Sequence, residues 1–227
     1  MAKGKNTSSR NVNERVKTAK SRSNSSTRWL QRQLNDPYVQ KSKADGYRSR
    51  AAYKLLEIND KLHMLKPGQI VVDLGAAPGS WSQIARDIVK KGGGGRVVAI
   101  DLLEVDPMEE VDFLQGDFTA EESLLWLRER LPKGADIVLS DMAPNTTGNS
   151  SLDHLRIVGL CEEVFLFASE VLRPGGSMVC KVFQGGTEQN LLKELRKQYK
   201  TVKHVKPKAS RKESSELYVV ATGFKGE

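Results

Sequence analysis

Residues 177–185, "SMVCKVFQG", set a lysine inside an apolar run, with Met178, Val179, Cys180, Val182 and Phe183 around Lys181. Such a run suits a strand covered on both faces, where a cation is costly. Two readings follow. The lysine stem snorkels past the strand end and returns its charge to water, or the amine is held poorly solvated so that it can shed its proton and act as a base. This strand alone leaves both open. Other residues with chemistry to offer cluster where strands should end. In "VVDLGAAPGSW" (71–81), Asp73 lies in the strand, and Gly75, Pro78 and Gly79 shape the turn after it. The glycines allow a tight turn and close approach of backbone to a ligand. Trp81, one residue into the next helix, suits either packing or a ligand wall. The spacing is not G-x-G-x-x-G and no P-loop lysine follows, so pyrophosphate is not indicated. Asp101 closes the next strand, "QGDF" supplies Asp117, and "LSDMAP" supplies Asp141. Acids aligned at strand ends in an open sheet suit a nucleoside ligand without phosphates.

The elements that must position these residues alternate strand and helix. Strands are expected at 68–75, 95–103, 111–118, 135–144 and 177–185, with helices at 80–91, about 121–131, about 153–172 and 188–199. The long helix should stop at "RPGG", with Cys161, Phe165, Leu166 and Phe167 as its core residues. Near-continuous apolar strands in a βαβ rhythm mean a mostly parallel sheet with helices on both faces. The last two strands, "TVKHVKP" and "ELYVVATGF", are joined without a helix, so an antiparallel hairpin is expected at one end of the sheet. A further helix, about 49–62, carries an apolar stripe of Ala51, Leu55, Ile58 and Leu62. Arg50, Lys54 and Lys61 lie together beside that stripe.

Charge is unevenly distributed. The 227-residue chain carries +8 in total, yet residues 1–50 hold 13 Lys and Arg against 3 Asp and Glu, while the remainder holds 23 against 25. A second basic stretch, "KELRKQYKTVKHVKPKASRK", covers 193–212. Such blocks are the footprint of a protein that grips a phosphate backbone, although a solubilising tail reads the same way. Residues 1–27 are expected to be a flexible basic extension and 28–227 one domain, a length that can bury a single full core. No apolar run approaches a membrane span or a secretory signal. Cys161 and Cys180 lie in apolar segments without CxxC spacing, as packed thiols of a reducing compartment. The scattered histidines imply no metal site. A cytoplasmic protein is expected, with a mitochondrial matrix location as the alternative that a basic, Ser-rich N-terminus allows.

Taken in order, "YRSRAAYKLLEI", "VVDLGAAPGSW", "QGDF", "LSDMAP", "CKVFQG" and "ELYVVATG" resemble the FtsJ-like ribosomal RNA large-subunit uridine 2'-O-methyltransferases, over roughly residues 37–224. The resemblance implies a Rossmann-like fold that binds S-adenosylmethionine and releases S-adenosylhomocysteine. Its sheet would have seven strands, mostly parallel, with one antiparallel strand inserted at the edge. It implies a uridine ribose in large-subunit RNA as substrate, met on the assembled or nearly assembled large ribosomal subunit, by a monomer with no obligate protein partner. Carried over by position, the cofactor contacts fall on Asp73, Gly75, Pro78, Gly79, Trp81, Asp101, Asp117 and Asp141. The catalytic set falls on Lys54, Asp141, Lys181 and Glu216. Candidates for gripping RNA are Arg48, Arg50, Lys61, Lys208 and Arg211. The basic extension and the "GGGG" at 92–95 depart from the family pattern, so no role is inherited there.

Within this resemblance Lys181 reads as the general base towards a ribose 2'-hydroxyl, with Lys54 as a like charge nearby and Asp141 and Glu216 orienting both amines. The alternatives are a 2'-O-methyltransferase of transfer RNA or messenger RNA caps, and a non-catalytic RNA-binding assembly factor built on the same fold. The latter would not need all four of those residues.

Overall fold

In the computed structural model, which describes residues 15, 18, 23–144, 147–184 and 189–226, five strands run parallel from one edge of the sheet. They are β1 (Ile70–Leu74), β2 (Arg96–Asp101), β3 (Val111–Gln115), β4 (Ala135–Ser140) and β5 (Leu172–Phe183). With β6 (Tyr199–Val205) and β7 (Glu216–Phe224) the order is β3-β2-β1-β4-β5-β7-β6. β7 is antiparallel to both β5 and β6. The expected hairpin is therefore present, and its second strand slots between β5 and β6. Most of the expected basic extension lies outside the described residues.

Two apolar layers flank the sheet, because its strands are apolar on both sides. On one face pack α3 (Ala52–Leu62) and α4 (Ser80–Val89), through residues such as Leu55, Ile58, Ile84 and Val89. On the other pack α5 (Glu121–Arg130), α6 (Ser150–Val171) and α7 (Gln189–Gln198), with Leu127, Val164, Phe167 and Leu195 buried. Cys161 and Cys180 are free, buried thiols in this second layer. Leu166, expected in the core, is 60% exposed. It lies one residue from Phe165 and Phe167, and a helix that packs on one side must turn some residues outward.

Two helices before residue 45 were not foreseen: α1 (Asn24–Leu34) and α2 (Pro37–Ala44). Both have local start signals. The Ser23 side chain accepts from the Ser26 N–H, and Asp36 accepts from the Tyr38 N–H with Pro37 at the first helical position. Both are mostly polar, and α1 lies at the end of the Ser- and Asn-rich basic stretch, which masks its amphipathic pattern. Helix α6 starts at Ser150, three residues early, because Asn149 caps the N–H groups of Ser151 and Leu152. β5 starts at Leu172, with the Arg-Pro-Gly-Gly run taken up in a register shift against β4.

The stripe on α3 is also rotated. Ala51 and Leu62 are half-buried, while Ala52, Tyr53, Lys54, Leu55 and Ile58 are buried. Lys54 thus belongs to the packed face instead of lying beside it.

Candidate active site

The site is set by strand register. Leu74 pairs with Ile100 and Ser140, and Ser140 with Cys180. Gly75, Asp101, Asp141 and Lys181, one residue further along each strand, therefore share one end of the sheet. The antiparallel insertion brings in β7: Lys181 pairs with Tyr218 and Phe183 with Glu216. Because side chains alternate, Lys181, Tyr218 and Glu216 point to one face. This is the face covered by α3, which delivers Lys54.

Four charged groups meet there. Lys54 Nζ donates to Glu216 Oε2 at 2.8 Å and lies 3.6 Å from Asp141 Oδ2. Lys181 Nζ lies 3.0 Å from Asp141 Oδ1 and also donates to the Asp141 backbone carbonyl. The Tyr218 hydroxyl donates to Asp141 Oδ1 at 2.6 Å, and the Ser210 hydroxyl donates to Glu216 Oε1 at 2.7 Å. The Lys54 and Lys181 side chains are only 10% and 9% exposed, so neither snorkels into open water. Burial by itself would raise the pKa of Asp141. The charges of Lys181 and then Lys54, with the Tyr218 hydrogen bond, outweigh it and hold the carboxyl below its ordinary value. Burial, then the charges of Asp141 and Glu216, push the Tyr218 phenol well up, so it stays a donor. Tyr218 and Ser210 were missed in the sequence. Tyr218 had a signal, since it stands two residues after Glu216 on a strand and so shares its face. Ser210 had none.

The remaining cofactor candidates line the same end of the sheet. Gly75 (φ 77°) and Gly79 (φ 99°) are in the left-handed region. A Cβ on Gly75 would lie 2.1 Å from Met142 Cγ, and one on Gly79 would meet Arg48, Met108 and Val105. Asp101 accepts from the N–H groups of Ala77 and Leu103, both at 2.8 Å, tying the glycine loop to β2. Asp117 is exposed and accepts from the Thr119 N–H and hydroxyl. Pro78 is exposed. Trp81 is buried, its indole N–H donating to the Ala51 carbonyl at 2.9 Å and its ring 5.5 Å from that of Tyr218. It therefore braces α3 against the cluster. Asp73 is buried in the middle of the sheet. Its Oδ2 accepts from the Ser82 hydroxyl at 2.6 Å, while Oδ1 is buried without a hydrogen-bond partner. Burial pushes its pKa up to about 7; the Ser82 hydrogen bond opposes this, and the charges of Asp141 and Asp101 add to it.

Of the RNA candidates, Arg50 and Arg211 share Asp36 as a partner, and Arg50 also reaches the 208–211 stretch. Arg48 wraps the glycine loop, donating to the carbonyls of Pro78, Asp106 and Pro107. Arg50 pairs with Asp36 at 3.1 Å and donates to the Ala209 carbonyl. Arg211 reaches the same Asp36 carboxylate at 3.4 Å. Lys61 and Lys208 are exposed. A cavity of about 400 Å³ lies at the opposite end of the sheet, lined by Gln69, Asp136, Ser177 and Thr222 among others, and shares no residue with the cluster. Among the described residues no group of His, Cys, Asp and Glu is arranged to hold a metal ion. Nor is any helix among them long and apolar enough to cross a membrane.

The sheet order, the glycine turn after β1 and the acids at the ends of β2 and β4 define a Rossmann-like methyltransferase fold. Solved structures agree. A Plasmodium falciparum protein described as a ribosomal RNA methyltransferase superposes with a TM-score of 0.72 at 33% identity, over 80% of this chain and 100% of that one. A Clostridium thermocellum protein at 16% identity (TM-score 0.52, 75% of this chain and 97% of that one) shares the fold. The family model for FtsJ-like methyltransferase matches residues 47–224. Proteins named ribosomal RNA large subunit methyltransferase E are similar over nearly the whole chain. That of Paramagnetospirillum magneticum is 58% identical over 96% of this chain and 91% of its own. That of Erythrobacter litoralis is 56% identical over 96% and 98%. The chain belongs to the FtsJ-like methyltransferase family.

Proposed function

We propose that this enzyme methylates the 2'-hydroxyl of a uridine ribose in large-subunit ribosomal RNA, with S-adenosylmethionine as donor and Lys181 as general base. The observation that carries the proposal is the buried cluster of Lys54, Asp141, Lys181 and Glu216, drawn from four elements to the ligand-binding end of the sheet. The relatives' names supply the substrate class: they act on large-subunit ribosomal RNA.

The residues present fit the cofactor. Asp73 offers a buried oxygen without a partner beside a glycine turn that a Cβ would crowd, which suits a cationic ligand approaching the backbone closely. Asp101 would hold ribose hydroxyls, Asp117 the adenine, and Asp141 the methionine amine, with Gly75, Pro78 and Gly79 as the turn around them. When bound, S-adenosylmethionine supplies an electrophilic methyl on a positive sulfur and leaves as S-adenosylhomocysteine.

The chain's own part is to bind the ribose, orient it and take its proton. A ribose hydroxyl is a weak nucleophile, and alignment alone can lower the barrier by several kcal/mol. Lys181 must be neutral to accept the proton at Nζ. The Asp141 carboxylate and backbone carbonyl fix the direction of that amine. Glu216 holds Lys54 at the edge of the cluster, and Tyr218 fixes Asp141. RNA is gripped by Lys61, Lys208 and the basic residues before α3, with Arg48, Arg50 and Arg211 dividing their charge between the chain and the phosphates. The substrate is the assembled or nearly assembled large subunit, and the enzyme works as a monomer in the cytoplasm. Its bacterial relatives offer no support for a mitochondrial location.

The test is methyl transfer from tritiated S-adenosylmethionine to large subunits that lack their modifications. Label recovered as 2'-O-methyluridine with wild type, and none with Lys181→Ala while calorimetric cofactor binding survives, is the expected result. Label on a base atom, or only on another class of RNA, refutes the assignment. Lost cofactor binding in Lys181→Ala would instead make that lysine structural.

A further inference from the structure

The loop between β6 and β7 reaches a carboxylate of the catalytic cluster through Ser210. Ser210 is 4% exposed, and its hydroxyl donates to Glu216 Oε1 at 2.7 Å, while the other oxygen of the same carboxylate holds Lys54 at 2.8 Å. The loop is fastened around Ser210 by the region of α3. Glu57 Oε2 accepts the N–H groups of Lys208 and Ala209, and the Arg50 guanidinium donates to the Ala209 carbonyl at 2.5 Å. Lys54 and Glu57 stand at i and i+3 on one side of α3, and Arg50 lies just before its first turn. One side of α3 therefore both presents Lys54 and clasps the loop whose serine fixes the partner of Lys54.

We infer that Ser210 is a positioning residue of the methyl transfer, locking the Glu216 carboxylate so that it holds Lys54. The inference rests on the catalytic reading of Glu216 and Lys54 given above. Glutamate has three side-chain torsions, and a carboxylate held from one oxygen only can swing about the remaining bond. With Ser210 on Oε1 both oxygens are committed and the rotamer is single. Without it, Oε1 loses its donor in a site where little water can replace it. Lys54 then follows a mobile anion, or shifts towards Asp141, 3.6 Å away, and disturbs the carboxylate that orients Lys181. The hydroxyl donates to Glu216 Oε1, so its removal acts on the chemical step through that carboxylate.

Steady-state methyl transfer to unmodified large subunits tests this, using wild type, Ser210→Ala, Ser210→Thr, Glu216→Ala and the Ser210→Ala/Glu216→Ala double variant, with melting curves for each. In Ser210→Ala, kcat should fall about ten-fold with KM for both substrates unchanged, as expected for a lost hydrogen bond to a charged group. Ser210→Thr, which keeps the hydroxyl, should recover most of the rate. Adding Ser210→Ala to Glu216→Ala should cost nothing further, because its effect runs through that carboxylate. Wild-type kcat in Ser210→Ala, or the same ten-fold loss in the Glu216→Ala background, overturns the inference while leaving the catalytic cluster in place. Unimpaired Glu216→Ala, or a wild type that transfers no methyl, overturns the parent reading and this one with it.

Discussion

Asp73→Asn should make this protein more stable at alkaline pH. Asp73 lies on β1 in register with Ala99 and Leu139, 1% exposed, with one oxygen bonded to Ser82 and the other without a partner. Its pKa rises on folding from 3.8 to about 7. A carboxyl with a raised folded pKa contributes stability that is fully present below its unfolded value and is lost as pH climbs through the folded one. The window is therefore roughly pH 4 to 7. The rise from 3.8 to about 7, at about 1.4 kcal/mol per unit, corresponds to about 4 kcal/mol. The asparagine keeps an acceptor for Ser82 but buries an amide N–H where Oδ1 was, a cost of about 1 kcal/mol. At pH 8 the variant should then exceed wild type by about 3 kcal/mol, a rise in Tm of roughly 6–12 °C for a domain of this size. Urea unfolding at a series of pH values measures both curves. Wild type should lose stability across the window relative to the variant, and the curves should cross, so that below pH 4 wild type is the more stable by about 1 kcal/mol. Parallel curves would refute the reasoning, because Asp73 would then be ionised throughout in the folded protein. The same substitution removes a negative charge that the cationic cofactor would meet. S-adenosylmethionine binding should weaken while stability rises, the opposition expected where a site stores an unfavourable buried group.

Tyr218→Phe removes the donor to Asp141 Oδ1 from a fully buried ring. It should destabilise the fold by about 2 kcal/mol, as for a hydrogen bond to a charged group, and slow methyl transfer at unchanged cofactor affinity. Unchanged melting and rate would mean that Lys54 and Lys181 orient Asp141 unaided. Asp36→Ala removes the cap of α2 and the shared partner of Arg50 and Arg211. The cap alone contributes about 1 kcal/mol, so hydrogen exchange should speed up across 24–44 and in the 206–215 loop while β1, β4 and β5 stay protected. Uniform loss of protection would show that these helices are part of the cooperative core.

What the chain order and apolar pattern determined by themselves was the parallel sheet, the helices that cover it and the strand ends that face a ligand. Those features follow from local periodicity: β1, β2 and β4 are valine- and isoleucine-rich runs, and Gly79 marks the start of the helix after β1. The two lysines and two carboxylates were legible as a set only through the resemblance of the surrounding motifs. Apolar burial near Lys181 alone could not separate a base from a snorkelling side chain. Tertiary structure decided three things that no local signal carries. The insertion of β7 between β5 and β6 places Tyr218 and Glu216 against Lys181. The rotation of α3 buries Lys54 instead of leaving it on a flank. The clasp of the 206–215 loop by Arg50 and Glu57 aims Ser210 at a carboxylate six residues on. Each depends on contacts between segments far apart in the chain, where the partner is selected by packing geometry and charge compensation once the core has closed.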